Sequence, residues 1–363
     1  MRILQLRSSD VFGSPERMII GQCRHLSSFE FVCASFVKKS RPNRFLQECR
    51  ARGIDVVPIE DSFPGDLRIA GCLRRLIREK EIDLVVSHDY KSSFYAYLAG
   101  RRTGSKQMAY FHGVTSENRK VRLYNAIDRY VLRRLARVVT VSSQTRKLLT
   151  DNGVREDRIM VVPNAIDDSI LAPPDQERQT AASSRELIAA GRFSYEKGYD
   201  LLIRALAGID TGDTPFMLRI YGAGPEEHRL KALVERFSLG DVVEFCGFVD
   251  DLIPFFGSKA FLIMPSRSEG MPVTVLEAWS QRLGIVASAV GGVPEVIEDG
   301  VTGLLVPPED VGALAERIAF GLENPELMRK CGQNGYDRVK QDFTFSRQAE
   351  LLRSIFDEYE RSR

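Results

Sequence analysis

The sequence predicts an α/β protein with two domains, each built on a parallel sheet covered by helices. At 363 residues the chain is longer than one ordinary core needs. Short apolar runs typical of buried strands alternate with helical patterns, and this alternation indicates parallel strands joined by crossover helices. The pattern restarts after a polar stretch rich in proline. We therefore predict domains at 1–166 and 185–342, a linker at 167–184, and a final helical segment at 343–363.

Composition argues against several other classes of protein. Six cysteines occur without a Cys-x-x-Cys pair, and four histidines lack paired spacing, so we predict neither a disulfide framework nor a zinc site. No apolar run approaches the ~18–20 residues of a spanning helix, and the chain enters a strand at once, so we expect no signal peptide. These features predict a cytoplasmic protein without a bound metal or cofactor.

Charge divides the chain into a basic and an acidic half. Residues 1–165 hold 30 Lys and Arg against 17 Asp and Glu, whereas the remainder holds 21 against 32. Such asymmetry indicates two domains with different partners. The basic half favours an anionic acceptor or an anionic membrane surface, which would make the protein peripheral at the inner face of the membrane. A nucleic-acid partner is disfavoured because no recognised nucleic-acid-binding module is present.

The elements of the first half follow from apolar runs separated by polar turns. Buried strands read as continuous apolar stretches, and helices as apolar positions three and four residues apart behind a capping residue. The predicted strands are 2–6, 30–37, 55–58, 84–87, 107–111, 137–141 and 159–163, and the predicted helices are 15–26, 43–52, 66–80, 92–99, 117–135 and 142–150.

Two strand ends in the first half are candidate ligand sites. The loop after the first strand holds Gly13 and Ser14, which can bring backbone amides close to a ligand. It lacks Gly-x-Gly-x-x-Gly, so a nicotinamide site is not expected, and an ordinary strand-to-helix connection is the alternative. His112 ends another strand, where open α/β sheets bind ligands. A structural hydrogen-bonding role is the alternative for this histidine.

The helix predicted at 117–135 is the most basic segment of the chain. Its apolar residues recur at helical spacing. One interpretation is a surface helix whose apolar stripe packs on the sheet; the other is a basic face that meets anionic lipid or a lipid-linked phosphate acceptor. The basic residues are Arg119, Lys120, Arg122, Arg129, Arg133, Arg134 and Arg137.

The second half repeats the alternation of strands and helices. The same reasoning applies, because apolar runs again end in loops rich in glycine and proline. The predicted strands are 186–190, 216–221, 242–245, 260–266, 284–289 and 303–306, and the predicted helices begin at 199, 226, 250, 272, 311, 325 and 343.

The stretch from Ala260 to Trp279 carries the strongest indication of function. A strand ends in a short loop with Glu269 and Gly270, and a helix is predicted to begin near Pro272. Free backbone N–H groups and the helix dipole favour an anion there. Glu277 lies about one and a half turns into the helix at ~3.6 residues per turn. Carboxylates bind sugar hydroxyls well, so a ligand with a diphosphate flanked by sugars fits. A solvated Glu and a helical ion pair are the alternative.

Two further loops of the second half fit the same ligand. Arg192 and Lys197 follow a strand and precede a helix, so two cations and free amides meet a diphosphate and would stabilise a departing nucleoside diphosphate. Gly222 and Gly224 end the next strand, where glycine lets the backbone approach a ligand; a plain tight turn is the alternative.

These motifs together resemble one known family. Ser266-x-x-Glu269-Gly270-x-Pro272 followed by Leu276-Glu277-Ala278 is similar to the Glu-x7-Glu signature of the retaining GT-B glycosyltransferases of the GT4 family (glycosyltransferase group 1). Gly191-Arg192-x4-Lys197-Gly198 and Gly291-Gly292-x-Pro294-Glu295 resemble further motifs of that family. The resemblance implies a GT-B architecture, in which two Rossmann-like domains face each other across a cleft and the final helix crosses back to the first domain.

The resemblance also implies roles for individual residues. It implies a retaining hexosyltransferase that uses a UDP- or GDP-sugar as co-substrate, with a sugar or lipid-linked acceptor in cell-surface polysaccharide or glycolipid assembly. No Asp-x-Asp occurs, so we expect no metal requirement. A sugar-nucleotide epimerase and a catalytically silent sugar-nucleotide-binding protein stay open as alternatives. The implied catalytic residues are Arg192, Lys197, Glu269 and His112, and the implied donor-binding residues are Gly13, Ser14, Gly222, Gly224, Phe248, Val249, Gly270, Met271, Pro272, Val273, Thr274, Glu277 and Glu295.

Overall fold

The chain forms two compact units of similar construction. The computed structural model describes residues 1–10, 12–38, 42–63, 65–113, 119–173, 185–209, 215–257 and 259–361. The first unit comprises Met1–Asn164 and Phe345–Arg363, and the second comprises Ala165–Thr344.

Strands and helices of the first unit alternate as the apolar pattern predicts. Its strands are β1 (Arg2–Arg7), β2 (Glu30–Val37), β3 (Asp55–Glu60), β4 (Leu84–Ser87), β5 (Lys106–Phe111), β6 (Arg137–Thr140) and β7 (Ile159–Val161). Its helices are α1 (Ser14–His25), α2 (Arg44–Ala51), α3 (Arg68–Glu79), α4 (Tyr90–Gly100), α5 (Arg119–Leu132), α6 (Ser143–Asp151) and, from the end of the chain, α14 (Phe345–Arg361).

The first sheet is parallel and has the strand order β3-β2-β1-β4-β5-β6-β7. Ile3 of β1 pairs with Phe31 on one side and with Leu84 on the other. The order therefore reverses at β1 and β4, and the loops after these strands diverge at the centre of the carboxyl edge. Open α/β sheets bind ligands at such a point.

Helix α14 packs on the first sheet, although it follows the second unit in sequence. Leu352 and Phe356 are buried in one cluster with residues of β1, β4 and β5. The Gln348 side-chain amide donates to the Pro163 carbonyl oxygen at 2.6 Å, which fixes the start of the helix on the first unit. At Gly21 a Cβ would collide with the Phe345 ring, and this glycine lets α1 and α14 approach closely. The predicted return of the final helix to the first domain is confirmed.

The second unit repeats the plan with its own elements. Its strands are β8 (Glu186–Ala190), β9 (Met217–Tyr221), β10 (Val243–Gly247), β11 (Phe261–Met264), β12 (Gly284–Ser288) and β13 (Leu304–Val306). Its helices are α7 (Tyr199–Leu206), α8 (Glu227–Arg236), α9 (Ile253–Phe256), α10 (Val273–Ser280), α11 (Val293–Val296), α12 (Val311–Glu323) and α13 (Pro325–Asp342).

The second sheet is also parallel, in the order β10-β9-β8-β11-β12-β13. Strands β11 and β12 are buried along their whole length, as expected for strands covered on both faces. Phe261 and Ile263 of β11 join the core formed by helices α7 and α12. The predicted α/β class, with two parallel-sheet domains, is confirmed.

Some boundaries differ from the predicted ones. Pro272 is the N-cap residue of α10, not part of its first turn, because its extended ψ of 118° precedes the helical residues. Part of the predicted linker is ordered on the second unit: the Ala172 N–H donates to the Ser280 carbonyl oxygen at 2.9 Å, and the Gln281 side chain donates to the Ile170 carbonyl oxygen at 2.6 Å. Residues 174–184 of that linker lie outside the described residues.

Two further properties concern the described residues alone. Their helices include none that is both long and apolar enough to cross a bilayer. Their His, Cys, Asp and Glu side chains form no group of three or more that could hold a metal ion.

Candidate active site

The carboxyl ends of β8 and β11 lie side by side at the centre of the second sheet. Ile188 pairs with Leu262, and the strands that follow them in sequence extend to opposite sides. This reversal leaves a crevice between the two loops, where open α/β sheets bind ligands. One loop leads into α7 and the other into α10, so two helix N-termini lie at the same edge.

Backbone packing holds these two loops together. Gly198 has a φ of +67°, and a Cβ on it would collide with the carbonyl oxygen of Pro265. Only glycine therefore fits where the loops cross. From the other loop, the Arg267 N–H donates to the Glu196 carbonyl oxygen at 2.8 Å. The loops form one rigid rim of the crevice.

A buried ion pair, which the motif spacing does not predict, strengthens this contact. The Arg267 guanidinium donates to both carboxylate oxygens of Asp200, at 2.7 and 2.9 Å, and both side chains are largely buried. Burial works to raise the pKa of Asp200, but the hydrogen bonds and charge of Arg267 outweigh it, so the pKa lies below its usual 3.8. Bidentate geometry makes this a stiff link between α7 and the loop after β11.

The predicted catalytic residues Lys197 and Glu269 are in direct contact. The Lys197 ammonium donates to Glu269 Oε1 at 2.7 Å, and the Ser266 hydroxyl donates to the same oxygen at 2.6 Å. The Glu269 side chain is 9% exposed and that of Lys197 is 28% exposed. Among the described residues no donor contacts the other carboxylate oxygen, Oε2. One oxygen of Glu269 is therefore fixed by the protein, and the other is left for a hydroxyl.

Arg192 lies in the same loop as Lys197 but differs in its surroundings. Its side chain is exposed, and its carbonyl oxygen accepts from the Ser194 N–H at 2.9 Å, which fixes the backbone. No acidic side chain in the described part of the chain pairs with its guanidinium, in contrast to the ammonium of Lys197. Arg192 therefore offers an unpaired positive charge to an anion.

The start of α10 brings unpaired backbone amides to the same edge. Its N-cap residue is Pro272, and no side chain caps the helix. The N–H groups of Val273 and Thr274 in the first turn consequently have no partner within the helix. Together with the helix dipole they favour an anion next to the preceding Gly270. Met271 is buried beside them and contributes packing.

The two predicted carboxylates differ in depth. Glu269 lies on the loop ahead of α10, whereas Glu277 lies in the second turn of that helix and is 7% exposed. The helix around it is fixed, because the adjacent Trp279 is fully buried and its indole N–H donates to the Thr302 carbonyl oxygen at 3.1 Å. This placement of Glu269 on the loop and of Glu277 on the helix behind it is the arrangement that the sequence analysis predicts.

The loop after β12 packs against the loop after β11. Gly291 has a φ of +60°, and a Cβ there would collide with the carbonyl oxygen of Glu269. The Gly292 N–H donates to the Gly270 carbonyl oxygen at 3.0 Å. The Gly-Gly motif thus supports the backbone of the site. Glu295 is an exposed residue of α11, and its role in donor binding stays a prediction.

Gly222 and Gly224 allow two loops of the protein to approach each other closely, whereas the sequence analysis explained these glycines by the approach of a ligand. Gly222 has a φ of +153°, and a Cβ on it would collide with the Gly191 carbonyl oxygen. A Cβ on Gly224 would collide with the backbone of Phe193, whose N–H donates to the Ala223 carbonyl oxygen at 2.9 Å. The sequence analysis assigned the close approach to a ligand; in the structure the neighbour is the loop that carries Arg192.

Phe248 and Val249 follow β10, two strands away from β8 on the same edge. Gly247 turns the chain with a φ of +76°. Its carbonyl oxygen accepts from the Gly222 N–H at 2.8 Å, which ties this loop to the one after β9. The Phe248 ring is 66% exposed. An exposed aromatic face at a strand end is suited to stacking on a planar ligand.

In the first unit, one predicted donor contact is already occupied. The Gly13 N–H donates to Glu16 Oε2 at 2.9 Å, and the Arg7 guanidinium donates to Glu16 Oε1 at 2.9 Å. The Gly13 N–H is therefore occupied within the protein, and a ligand role for Gly13 stays a prediction. A Glu three residues after a helix cap is a known capping pattern, and the spacing of Gly13 and Glu16 in the sequence indicates this hydrogen bond. Ser14 is the first residue of α1, and its ligand role stays a prediction.

His112 follows β5 and is half-buried, and its ring stacks with that of the buried His88. Its ring centroid lies 5.8 Å from that of Tyr110 and 6.2 Å from that of His88. Burial and the charge of Arg7 lower the pKa of His112 to about 3, so the ring is neutral near pH 7. Its Nε2 is buried and has no hydrogen bond from or to a described residue. The sequence analysis did not single out His88, whose Nε2 lies 2.6 Å from Gln5 Oε1.

The basic helix α5 packs its apolar residues inward. Val131, Leu132 and the following Leu135 are buried in the core beside β5 and β6. This agrees with the surface-helix interpretation of the apolar stripe. The predicted Glu117 and the side chains of 119–123 lie outside the described residues. The exposed basic residues of the described part of the helix and its end are Arg129, Arg133 and Arg134.

Comparison with known families accounts for both units. The family described as Glycosyltransferase Family 4 matches residues 16–170, and the family described as Glycosyl transferases group 1 matches residues 175–338. The two matches do not overlap in the sequence, and each covers most of one unit. The chain belongs to the group 1 glycosyltransferases. The crevice at β8 and β11 lies within the second match.

Two curated relatives of this glycosyltransferase are named for the biosynthesis of bacterial polysaccharides. The lipopolysaccharide core biosynthesis mannosyltransferase LpcC of Rhizobium leguminosarum is 28% identical over 246 residues, which cover 65% of this chain and 68% of that one. The putative colanic acid biosynthesis glycosyltransferase WcaL of Escherichia coli is 29% identical over 247 residues, 64% of this chain and 59% of WcaL. The aligned part thus spans about three fifths to two thirds of each relative.

Solved structures share the fold over the whole chain. Anabaena HepE in complex with UDP superimposes with a TM-score of 0.85 at 19% identity, covering 99% of this glycosyltransferase and all of HepE. HepE in complex with UDP-glucose has a TM-score of 0.86 at 20% identity, again covering 99% and 100%. This likeness establishes the GT-B fold, as the sequence resemblance implied.

Proposed function

We propose that this glycosyltransferase moves a hexose-type sugar from a UDP- or GDP-sugar to an acceptor hydroxyl, with retention of anomeric configuration and without a metal ion. The observation that carries the proposal is the contact of Lys197 with Glu269, beside exposed Arg192 and the uncapped start of α10. This crevice combines cations for a diphosphate with a carboxylate for sugar hydroxyls. The UDP and UDP-glucose complexes of HepE support the nucleotide part of the proposal.

The cationic groups would stabilise the departing nucleoside diphosphate. Negative charge grows on the diphosphate as its bond to the sugar breaks, and fixed donors aimed at that charge lower the barrier. Arg192 has no acidic partner among the described residues, so its charge is available to the diphosphate, whereas the charge of Lys197 is shared with Glu269. The first amides of α10 add to both. These groups would take the place of a divalent cation, in line with the lack of an Asp-x-Asp sequence.

The carboxylates would hold hydroxyls on either side of the diphosphate. Glu269 Oε1 already accepts from Lys197 and Ser266, so Oε2 is the oxygen for the donor sugar. Two hydrogen bonds to one carboxylate also make Glu269 a weaker nucleophile, which favours a binding role over a covalent intermediate. Glu277 would bind the ribose hydroxyls. The resemblance implies that the leaving phosphate accepts the acceptor's proton, with chemistry on one face of the sugar.

His112 would assist without adding charge. The resemblance implies a histidine beside the transferred sugar, and the low pKa of His112 keeps its imidazole neutral. A neutral ring can exchange hydrogen bonds with a hydroxyl through Nε2, which is buried and unpaired within the described residues. The similarity to LpcC and WcaL, which are named for lipopolysaccharide core and colanic acid biosynthesis, favours a role in cell-surface polysaccharide or glycolipid assembly.

Part of the first unit would meet an anionic surface. Arg129, Arg133 and Arg134 form an exposed basic strip on and after α5, and about 1 kcal/mol per basic residue favours an anionic membrane. Sedimentation with phosphatidylcholine vesicles, with and without phosphatidylglycerol, tests this. Binding should require the anionic lipid and should be lost at high salt. If the protein binds to neither kind of vesicle, the basic strip does not contact an anionic membrane.

A ligand panel tests the proposed donor. UDP, GDP and ADP are compared by thermal shift, because a ligand at ~100 times its Kd adds ~2.7 kcal/mol of stability. Sugar nucleotides with the base of the nucleotide that stabilises the protein most are then incubated with and without acceptors. Transfer or slow hydrolysis supports the proposal. Isomerised donor in the absence of acceptor indicates the epimerase alternative, and binding without either reaction indicates a silent binding protein.

A further inference from the structure

A cavity of about 520 Å³ lies at the amino edge of the first sheet, where β1, β2 and β3 begin and α1, α2 and α3 end. This edge is opposite to the carboxyl edge, at which His112 lies and at which open α/β sheets bind ligands. The volume is within the range of about 300–1,000 Å³ that small-molecule sites span. The lining residues used below are Arg2, Cys23, Arg24, Glu30, Arg52, Asp55 and Lys80.

Three cysteines form a row that leads from this cavity into the core. Cys23 of α1 is half-buried and lines the cavity. It also packs against the cluster that contains Cys33 of β2 and Cys49 of α2, both of which are fully buried. The Cys33 thiol is hydrogen-bonded to the thiols of both Cys23 and Cys49. Cys33 therefore connects the partly exposed Cys23 with the buried Cys49.

The members of this row differ in how readily they can react. The hydrogen bond with Cys23, followed by burial, raises the pKa of Cys33 well above its usual value. The hydrogen bond with Cys33, followed by burial, raises the pKa of Cys49 in the same way. Both thiols stay protonated near pH 7, and buried thiols in apolar surroundings are inert. Cys23 is the member of the row that a small reagent in the cavity can contact.

Positive charge predominates around the cavity, because four lining side chains are cationic and two are acidic. Both acids are already paired. Glu30 accepts from Arg2 at 2.6 Å, and Asp55 accepts from Lys80 at 2.6 Å. The negative ends of three helices at this edge balance part of the remaining positive charge. The excess still favours an anionic ligand, and reactive cysteines are typically partly exposed thiols in electropositive surroundings.

We infer that Cys23 undergoes thiol–disulfide exchange with an anionic disulfide of low molecular weight in this cavity, and that Cys33 completes the reaction. First, the Cys23 sulfur gives up its proton and attacks one sulfur of the reagent, whose S–S bond breaks; one half leaves as a thiol and the other stays on Cys23. The Cys33 sulfur then attacks the Cys23 sulfur, and its proton passes to the departing second half. Two protein thiols are oxidised to one disulfide, and the reagent is reduced to two thiols.

Modification of Cys23 makes Cys33 ready for the second step. The hydrogen bond between the two thiols is the largest cause of the raised pKa of Cys33, and a mixed disulfide on Cys23 removes this cause. Burial remains, but the two sulfurs are already in contact, so the attack needs only a local shift of the side chains. Reversible disulfides of this kind are typical of redox-sensing proteins.

The test follows the cysteines of the reduced full chain by mass spectrometry during exposure to small disulfides of different charge. Glutathione disulfide is anionic, bis(2-hydroxyethyl) disulfide is uncharged and cystamine is cationic. Each rate at Cys23 is divided by the rate at which the same reagent oxidises the uncharged thiol 2-mercaptoethanol. At low ionic strength this relative rate should be about tenfold higher for glutathione disulfide than for cystamine. The difference should shrink as salt screens the charges of the cavity.

The chain offers matched controls for the effect of charge. Cys246 of β10 is half-buried like Cys23, but burial and the charge of Glu244 raise its pKa, so it should show no preference for the anionic reagent. Arg52→Gln removes an exposed cation of the lining and should slow the reaction of Cys23 with glutathione disulfide severalfold. Arg50→Gln removes an exposed cation of α2 that is not among the lining residues and should leave the rate unchanged.

Cys33→Ser separates the two steps. In this variant the mixed disulfide on Cys23 should accumulate, whereas in the wild type it should be replaced by a disulfide between Cys23 and Cys33, detected as a linked pair of peptides. The linked peptides of the wild type keep the second step testable if Cys33→Ser does not fold.

Three results would overturn the inference. The first is that Cys23 stays reduced while the exposed Cys72 reacts. The second is that the uncharged or cationic reagent has as high a relative rate at Cys23 as the anionic one. The third is that no linked peptides of Cys23 and Cys33 form in the wild type. None of these measurements depends on sugar transfer, so the outcome is independent of the proposed function.

Discussion

Replacement of Lys197 should damage both stability and catalysis, because its ammonium binds a largely buried carboxylate. In Lys197→Ala, Glu269 keeps the Ser266 hydroxyl as a donor but loses the charge that compensates its burial. Sequence reasoning alone expects a loss of transfer in a protein with an unchanged fold. The contact adds the expectation that the second unit becomes less stable.

The size of the effect follows from the exposure of the two partners. Removing one partner of a fully buried pair costs about 3–5 kcal/mol. Here Glu269 is 9% exposed, but Lys197 is 28% exposed and water reaches its side of the pair. We therefore expect a loss of about 2 kcal/mol, or about 4–8 °C in Tm for a unit of this size. Lys197→Met combined with Glu269→Gln should recover most of it, because no buried charge is left unpaired.

The chain offers a built-in probe for this measurement. Trp279 is the sole tryptophan of the sequence, and it is fully buried in α10 of the second unit. Urea unfolding followed by tryptophan fluorescence therefore reports on the unit that contains the pair. The midpoint should move to lower urea in Lys197→Ala and back in the double variant, while the slope of the transition stays the same.

Arg192→Ala is the matched control. Arg192 lies in the same loop but is exposed and has no acidic partner among the described residues, so its removal should change stability by less than about 0.5 kcal/mol. Transfer should nevertheless fall by orders of magnitude in both single variants. An unchanged midpoint in Lys197→Ala, or equal destabilisation by Arg192→Ala, would refute the structural reasoning.

Three further predictions concern the donor, the pH and metal ions. Glu277→Gln should weaken nucleoside diphosphate binding about tenfold in calorimetry, since a hydrogen bond to a charged group contributes about 1.5 kcal/mol or more. Replacement of the exposed Glu326 by Gln is the control. If Glu277→Gln binds the nucleotide as tightly as the wild type, Glu277 does not hold the ribose. Burial, with the charge of Asp89, raises the pKa of Asp128 from 3.8 to about 7, so ionisation opposes folding. Stability of the first unit should fall as the pH rises from about 4 to 7 and then level off, by up to about 4 kcal/mol in circular dichroism melts, and Asp128→Asn should lack this loss. EDTA should leave turnover nearly unchanged, and a strict manganese requirement would contradict the metal-independent mechanism.

Most of the fold could be predicted because each buried parallel strand is recognisable from its own short stretch of sequence. A strand buried on both faces is an unbroken apolar run, and β11 and β12 are recognisable from their own residues. The residues at strand ends were found in the same way, since Lys197 and Glu269 each follow such a run. Their contact could not be predicted, because they are 72 residues apart in the chain. The pair of Arg267 with Asp200 spans 67 residues and was missed for the same reason.

Glycine illustrates a second limit of sequence reasoning. A glycine at a strand end indicates that something approaches the backbone closely, but not what approaches. At Gly222 the neighbour is the Gly191 carbonyl oxygen, and at Gly291 it is that of Glu269. These glycines shape the loops that carry the site residues. Only Gly13 had a local signal for its actual partner, the carboxylate of Glu16 three residues later.

The same distinction explains why sites in the two units differ in how far the sequence can identify them. The proposed donor site is assembled from short motifs, in which Arg192 and Lys197, or Glu269 and Glu277, are close in sequence. In the first unit, the cavity at the carboxyl edge of the sheet takes single residues from four loops, from Asp10 to Tyr90, and no spacing connects them. Loops tolerate change better than the strands that carry them. A site assembled from short motifs can therefore be identified from their spacing in the sequence, whereas a site built from single residues of several loops has to be deduced from the folded unit.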